Sequence, residues 1–177
     1  SDGKPMGFML CLGSESEFLA IGKAMHESGI TPDFITVDGG EGGTGAAPLE
    51  YSNSVGMPMR DGLAFVVNTL EGMGVRDRVR VIASGKILTG FPAARALALG
   101  ADLCNSARGM MLALGCVQSL ECNTNHCPTG ITTQDRTLVR GLDVGNKSAR
   151  VARYHAETLH ALRDLISSAG LTAPDEL

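Results

Sequence analysis

Strand-like and helix-like segments alternate along this chain, and the alternation limits its fold more than any other feature. Apolar runs cover residues 5–12, 33–37, 79–83 and 101–105, while helical periodicity covers residues 14–28, 61–70, 93–99, 110–120 and 147–168. Short connections between such segments favour parallel strands joined by right-handed crossovers. The sequence therefore predicts an α/β fold of about four β-α units, which corresponds to about half of a (β/α)8 TIM barrel.

The ends of several elements carry local signals. Ser14 and Glu17 match a capping box that begins the first helix, and Gly29 follows its last residue. The apolar helix over residues 110–120 is expected to carry Cys116. The continuous apolar character of residues 79–83 predicts a strand that is buried on both faces.

Composition narrows the class of protein. The chain has 177 residues, 44% of them hydrophobic, and a net charge of −4, which predicts one globular domain spanning residues 1–177. Its basic residues look dispersed, which argues against a nucleic-acid partner. No apolar run approaches the ~20 residues of a membrane span, and the first ten residues lack the pattern of a signal peptide. We therefore expect a cytoplasmic protein with no membrane partner.

Glycines follow the predicted strands at the edge where barrels bind phosphate. Gly85 and Gly109 follow the last two strands, which would be the seventh and eighth of a complete barrel, and the loops after those strands commonly bind phosphate. The alternative for each is a glycine that merely ends a strand. Lys86 and Arg108 beside them are candidate cations. Five more glycines follow the second strand without the G-x-G-x-x-G pattern of dinucleotide sites: Gly39, Gly40, Gly42, Gly43 and Gly45.

Three cysteines in the second half of the chain have the spacing C-x5-C-x4-C. They are Cys116, Cys122 and Cys127, and soft thiolates in one short loop suit an iron–sulfur cluster. A structural zinc site with His126 as fourth ligand is one alternative, although zinc ligand pairs are usually closer in sequence than Cys116 and Cys122. A disulfide with one spare thiol is the other, and it requires an oxidising compartment.

Four segments resemble a known family. DGGEGGTGAAPLE, ASGKILTGF, ALALGADLCNSARG and ALGCVQSLECNTNHCPTGITTQD are similar to the central, FMN-binding synthase domain of glutamate synthases, in particular its stand-alone version. The resemblance covers residues 5–171 and implies the second half of that domain's barrel. It implies an oxidoreductase in which reduced FMN delivers hydride to 2-iminoglutarate, formed from 2-oxoglutarate and ammonia, while a 3Fe–4S cluster relays electrons.

With that chemistry, individual residues receive expected roles. The resemblance implies that Cys116, Cys122 and Cys127 ligate the 3Fe–4S cluster within a loop at residues 116–135. Glu41 and Lys86 are the expected catalytic residues, because the substrate's carboxylates and the flavin need charged groups to position them. The residues expected to bind FMN lie at strand ends: Gly42, Gly43, Ser84, Gly85, Lys86, Ala107, Arg108 and Gly109.

Some residues depart from the family pattern. Met9 stands where the family has a lysine near the flavin, and Asn123 stands where the cluster loop commonly has a histidine. Neither change removes a thiolate, so we expect turnover to suffer more than cluster binding.

Cys11 and Cys104 lie in apolar strands and are expected to be buried as small hydrophobic residues. The missing half of the barrel predicts weak FMN binding by the isolated chain.

The same interpretation implies partners. Besides 2-oxoglutarate and ammonia, it requires an electron-donor protein or subunit and the N-terminal half of the barrel, and open sheet edges favour a homo-oligomer. The nearest alternative is an N-methylglutamate synthase-type enzyme, which uses an amine instead of ammonia. A catalytically inactive fragment of a longer chain is the other.

Overall fold

A four-stranded parallel sheet organises the structure. The computed structural model of the chain describes residues 2–42 and 47–177. The strands are β1 (Gly7–Cys11), β2 (Phe34–Asp38), β3 (Arg80–Ser84) and β4 (Leu103–Asn105), and they are neighbours in chain order. Strands added one after another in a single direction are typical of a barrel, whereas doubly wound sheets reverse their order. The predicted fold class, part of a (β/α)8 barrel, is confirmed.

Helices connect and flank the strands. Among the described residues, no helix has both the length and the apolar character needed to cross a bilayer. The helices are α1 (Glu15–Ser28), α2 (Leu49–Asn53), α3 (Met59–Gly72), α4 (Gly90–Ala98), α5 (Ala107–Leu114), α6 (Arg136–Val139) and α7 (Val144–Ser168), with short 3-10 turns at Arg76–Arg78 and Pro174–Glu176.

Two local predictions were wrong. The apolar helix ends at Leu114, because Gly115 adopts a left-handed conformation with φ 100° and terminates it. Cys116 therefore follows α5 instead of lying on it. The capping box at Ser14 does not form, since its hydroxyl lies 2.8 Å from the hydroxyl of Ser16 and caps no backbone N–H. The end of α1 is as predicted, with Gly29 left-handed at φ 69°.

The two faces of the sheet differ in burial. The face toward the helices carries Ile35, Val37, Val81 and Ala83, all fully buried in one core with helix residues such as Leu63. The opposite, open face carries a row of residues in register across all four strands: Met9, Thr36, Ile82 and Leu103. Met9 is 65% and Leu103 56% exposed.

This asymmetry corrects the prediction that the third strand is buried on both faces. Val81 and Ala83 are buried, but Ile82 between them is only half-buried, because it points to the open face. The middle row of the open face is therefore apolar except for Thr36, which is buried, as expected for part of a barrel whose interior is filled by side chains of other strands.

Asp102 ties the amino-terminal ends of β3 and β4 together. Its carboxylate accepts hydrogen bonds from the backbone N–H of Val81 (2.7 Å) and from the guanidinium groups of Arg76 (2.9 Å) and Arg80 (3.0 Å). Partial burial alone would raise the pKa of Asp102, but these hydrogen bonds and the two positive charges outweigh it and lower that pKa. The ionised carboxylate thus stabilises the folded state.

Candidate functional site

A cleft of about 800 Å³ opens at the carboxyl ends of β2, β3 and β4. The last residues of these strands, Asp38, Ser84 and Asn105, lie in register and form its floor. The cleft brings together most of the residues predicted from the sequence to form the site: Glu41, Gly42, Ser84, Gly85, Lys86, Ala107, Arg108, Cys116 and Cys122. Gly109 and Cys127 are not among its lining residues, and Gly43 and Gly45 lie outside the described residues.

The turn after β3 has an unusual backbone conformation. Gly85 and Lys86 both have positive φ, at 152° and 48°, and a left-handed conformation costs a non-glycine residue roughly 1–2 kcal/mol. A Cβ at Gly85 would lie 2.8 Å from the Cβ of Met59, so the position has no room for a side chain. The turn directs Lys86 to the cleft, where its Nζ donates a hydrogen bond to Asn53 Oδ1 at 3.0 Å.

Glu41 connects the loop after β2 to the start of α3. Both of its carboxylate oxygens lie 3.1 Å from the backbone N of Met59, the first residue of α3. This contact satisfies an N–H that has no partner within the helix and places negative charge at the positive end of the helix dipole. Glu41 therefore has a structural role, and its catalytic role stays a prediction. The N–H of Gly42 is likewise used, donating to the carbonyl of Ser52.

The wall formed by α5 is held in place by α7. The hydroxyl of Ser106, which precedes α5, donates to the carbonyl of Ile87 at 2.6 Å, and the hydroxyl of Tyr154 on α7 donates to the carbonyl of Leu88 at 2.7 Å. A Cβ at Gly109 would collide with the Tyr154 hydroxyl. Close packing thus accounts for this glycine, and its predicted contact with FMN stays a prediction.

Arg108 lies in the first turn of α5, where backbone N–H groups have no partner within the helix. Its guanidinium donates to Gln118 Oε1 at 3.3 Å, which links α5 to the cysteine loop. The cleft thus combines two cations with the amino-terminal end of a helix, an arrangement that suits an anion such as phosphate.

The three cysteines have different environments. Cys116 is half-buried and Cys122 exposed, and both line the cleft, whereas Cys127 is buried outside it. Within residues 2–42 and 47–177, no three His, Cys, Asp or Glu side chains lie close enough together to hold a metal ion. The structure thus brings two of the three cysteines to the cleft without gathering the predicted set of ligands.

Cys127 is surrounded by hydrogen-bond donors. Its Sγ lies 3.4 Å from the hydroxyl of Thr129. This contact and the backbone N–H groups of Thr132, Thr129 and Ile131 outweigh burial and lower the pKa of Cys127 to about 6. The lowered pKa favours the thiolate of Cys127, which is the form that ligates metals, and hydrogen bonds to sulfur also tune iron–sulfur clusters.

The rest of the cysteine loop is closed by polar contacts. Asn125, left-handed at φ 69°, accepts a hydrogen bond from the backbone N–H of Gln134 at 2.6 Å, and Asp135 caps α6 through the N–H groups of Thr137 and Leu138. Thr132 lines the cleft, and its buried hydroxyl has no partner among the described residues. An unpaired buried hydroxyl beside Cys122 and Cys127 is consistent with an additional group binding there.

The two remaining cysteines are less buried than predicted. Cys11 is exposed at the end of β1, so the expectation that it is buried was wrong. Its position at the open end of an edge strand explains the difference. Cys104 on β4 is half-buried, and burial raises its pKa to about 11, which keeps it a neutral thiol.

Several contributors to the site were not predicted. Asn53, Gln118 and Thr132 line the cleft, and Tyr154 on α7 bonds to the carbonyl of Leu88 after β3. Thr132 lies in the CPTGITTQD segment, whose resemblance to the family could have indicated it as a site residue. Nothing in the sequence indicated Asn53, because the short helix that presents it was not predicted.

Comparison with known proteins identifies the family. A family model described as a conserved region in glutamate synthase matches residues 4–172. The glutamate synthase large subunit-like protein YerD of Bacillus subtilis is 43% identical over 171 residues, which cover 97% of this chain and 33% of that protein. The archaeal glutamate synthase (NADPH) of Methanocaldococcus jannaschii is 33% identical over 174 residues, covering 98% of this chain and 33% of its own length.

The glutamate synthase (NADPH) large chain of Bacillus subtilis is also 33% identical, over 147 residues that make up 10% of it. This chain therefore spans about one third of YerD and of the archaeal protein. The match extends over nearly all of this chain and includes both the strand-end residues and the cysteine loop. The chain belongs to the glutamate synthase family.

Proposed function

We propose that this chain is the C-terminal half of the flavin-binding barrel of a glutamate synthase-type oxidoreductase. The whole protein would form L-glutamate from 2-oxoglutarate and ammonia, with FMN and a 3Fe–4S cluster as cofactors. One observation carries the proposal: a single cleft is lined both by the strand-end residues Ser84 to Lys86 and by Cys116 and Cys122. A cofactor in this cleft would lie beside the cysteine loop, as electron relay requires.

FMN, when bound, would supply the hydride chemistry that side chains lack. The residues of this chain would bind the FMN and orient it. The turn at Gly85 and the first turn of α5 offer backbone N–H groups to the phosphate, and Lys86 and Arg108 contribute positive charge. Glu41 would act by fixing the loop after β2 against α3. Cys116, Cys122 and the thiolate of Cys127 would hold iron.

The position of Met9 supports an incomplete active site in the isolated chain. Met9 lies in the middle row of the open face, in register with Thr36, and is 65% exposed. The lysine of the family pattern would place a cation there, whereas methionine leaves the row without a charge. The whole protein would cover this row with the N-terminal barrel half, which remains a proposed partner, as does a second copy pairing with the edge strands β1 and β4.

The fraction of the relatives that this chain spans bears on the alternatives. Because it matches about one third of YerD and of the archaeal protein, we expect the isolated chain to be a catalytically inactive part of an active whole. An N-methylglutamate synthase-type activity differs only in the nitrogen substrate, and the same cleft would serve it. The names of two relatives specify NADPH, which supports NADPH as the electron source of the whole protein.

The test of the proposed function is an assay of the protein that contains this chain together with the preceding part of the barrel. We expect 2-oxoglutarate-dependent oxidation of reduced electron carrier, with glutamate as product, when ammonia is present. Methylamine replaces ammonia under the alternative and yields N-methylglutamate. If a preparation that contains both flavin and iron forms no product with either ammonia or methylamine, both proposed activities are contradicted.

FMN binding tests the phosphate site separately. We expect FMN to bind this chain more tightly than riboflavin, which lacks the phosphate, and Lys86→Met to reduce this preference about tenfold or more, since hydrogen bonds to charged groups contribute about 1.5–3 kcal/mol. Riboflavin binding should change little. Quenching of flavin fluorescence measures both affinities.

The matched control is Lys23→Met on α1, whose side chain is exposed and pairs with Glu27 of the same helix. It should leave both flavin affinities unchanged. Equal affinities for FMN and riboflavin in the unmodified chain would show that the phosphate does not bind at this site.

A further inference from the structure

Two separate segments form the proposed phosphate site of the cleft. One is the turn after β3, at Gly85 and Lys86, and the other is the first turn of α5, which begins at Ala107. The pairing of β3 with β4 ends at Ser84 and Asn105, just before these segments. Beyond that pair, no backbone hydrogen bond within the described residues joins the two segments. Side chains therefore have to fix their relative position.

Two hydroxyl groups join these segments. Ser106, immediately before α5, donates to the carbonyl of Ile87 at 2.6 Å, and Tyr154 on α7 donates to the carbonyl of Leu88 at 2.7 Å. The two hydroxyl oxygens lie 3.1 Å apart. We call Ser106 and Tyr154 the hydroxyl pair. It links the loop after β3 to the start of α5, and α7 supplies one of its two members.

The Tyr154 hydroxyl also lies directly against the first turn of α5. A Cβ at Gly109 would collide with this hydroxyl and would come within 2.8 Å of Ser106 Oγ. Glycine thus allows the phenol to approach the backbone of a turn whose N–H groups have no partner within the helix. Any displacement of the phenol would therefore move the turn that is proposed to bind phosphate.

The hydroxyl pair is shielded from solvent but does not itself contact the cleft. Both side chains are half-buried, and Ile87 is 3% exposed. Hydrogen bonds in such surroundings compete less with water, and connected hydroxyls strengthen one another. Tyr154 is not among the residues that line the cleft. It therefore acts on a ligand there through the backbone segments that it holds.

We propose that Tyr154 is a positioning residue of the cofactor's phosphate site. The inference rests on the proposed function, because it concerns the phosphate of the FMN proposed to bind there. With Ser106, Tyr154 holds the turn after β3 and the first turn of α5 at a fixed separation, so that N–H groups of both segments serve one anion. Donors that are already in position bind more tightly, because less order has to be gained on binding. Through Tyr154, α7 becomes part of a site that it does not line.

The experiment compares the affinities of FMN and riboflavin in Tyr154→Phe. Phenylalanine keeps the ring and removes only the hydroxyl. We expect the preference for FMN over riboflavin to fall about fivefold, the scale of one hydrogen bond, because only FMN carries the phosphate. Riboflavin affinity should change little. Quenching of flavin fluorescence gives both affinities.

Tyr51→Phe is the matched control. It makes the same change at the other tyrosine of the chain, whose side chain is 65% exposed, and it should leave the preference for FMN unchanged. An equal loss of preference in this variant would overturn the proposal. So would an equal weakening of both flavins in Tyr154→Phe, because that result indicates a general loosening of the fold.

Ser106→Ala tests the other member of the hydroxyl pair. It should also lower the preference for FMN. Because both hydroxyls act on the same two segments, we expect the combined variant to lose less than the product of the two separate losses. Losses that multiply fully would overturn the joint action of Tyr154 and Ser106.

Failure of this inference and failure of the proposed function give different results. If the unmodified chain binds FMN and riboflavin equally, the proposed phosphate site is wrong and the positioning role is wrong with it. If the unmodified chain prefers FMN and Tyr154→Phe keeps that preference, the phosphate site stands and the positioning role alone is overturned.

Discussion

Cys122→Ser is expected to abolish the visible absorbance that the chain gains on anaerobic reconstitution with iron and sulfide. Three thiolates supply all the protein ligands of a three-iron cluster, so the loss of one leaves too few sulfur ligands. Cys116→Ser and Cys127→Ser should have the same effect. Absorption spectra with iron and sulfide counts measure it.

The chain provides its own controls for this series. Cys104→Ser should leave the spectrum intact, because Cys104 is a neutral thiol on β4, and Cys11→Ser should as well, because Cys11 lies at the end of the opposite edge strand. An unchanged spectrum in Cys122→Ser would contradict the ligand assignment. Zinc retained with His126 as a required ligand, or a disulfide found by mass spectrometry, would support the other interpretations of the spacing.

Asp102→Asn is expected to destabilise the fold by about 2–4 kcal/mol, because loss of one partner from a partly buried ion pair leaves the other charge uncompensated. Arg76 and the N–H of Val81 would lose their charged acceptor. Urea unfolding measures the change in free energy. Asp77→Asn, at an exposed carboxylate one residue from Arg76, is the control and should remain within about 0.5 kcal/mol of the unmodified chain.

The effect of Asp102 also predicts a pH dependence. Its pKa is lowered in the folded state, so its contribution is fully present above the unfolded value of about 3.9 and is lost as pH falls through the folded pKa. The stability difference between the unmodified chain and Asp102→Asn should therefore shrink below about pH 4. A difference that stays constant into that acidic range would show that the carboxylate's charge is not what stabilises the fold.

Sequence patterns were sufficient for the order of the four strands and the five longer helices, but not for the short helices α2 and α6. Period-two and helical patterning depend on residues close in sequence, and Gly29 ends α1 as its position predicts. Gly115 carried the same signal for the end of α5, but the apolar residues beyond it suggested a longer helix. The left-handed glycine ended the helix there, although apolar residues follow it.

Tertiary contacts were not predictable in the same way. The bond between Glu41 and the start of α3 joins residues 18 apart, and that between Tyr154 and Leu88 joins residues 66 apart. Gly109 was predicted to bind FMN, which stays a prediction, whereas the structure shows it packed against Tyr154, a contact that the sequence did not indicate. The half-buried state of Ile82 depends on which elements cover the open face, and no pattern within β3 encodes that.

The central claim is that one cleft holds FMN beside a cluster in the cysteine loop. Its most direct test is the visible absorption spectrum of the anaerobically reconstituted chain, with iron and flavin counts on the same sample. We predict a broad iron–sulfur absorbance with about three irons per chain, and bound flavin that appears with added FMN but is lost on gel filtration, because this chain supplies only part of the barrel. An iron-free spectrum with all three cysteines intact would contradict the claim.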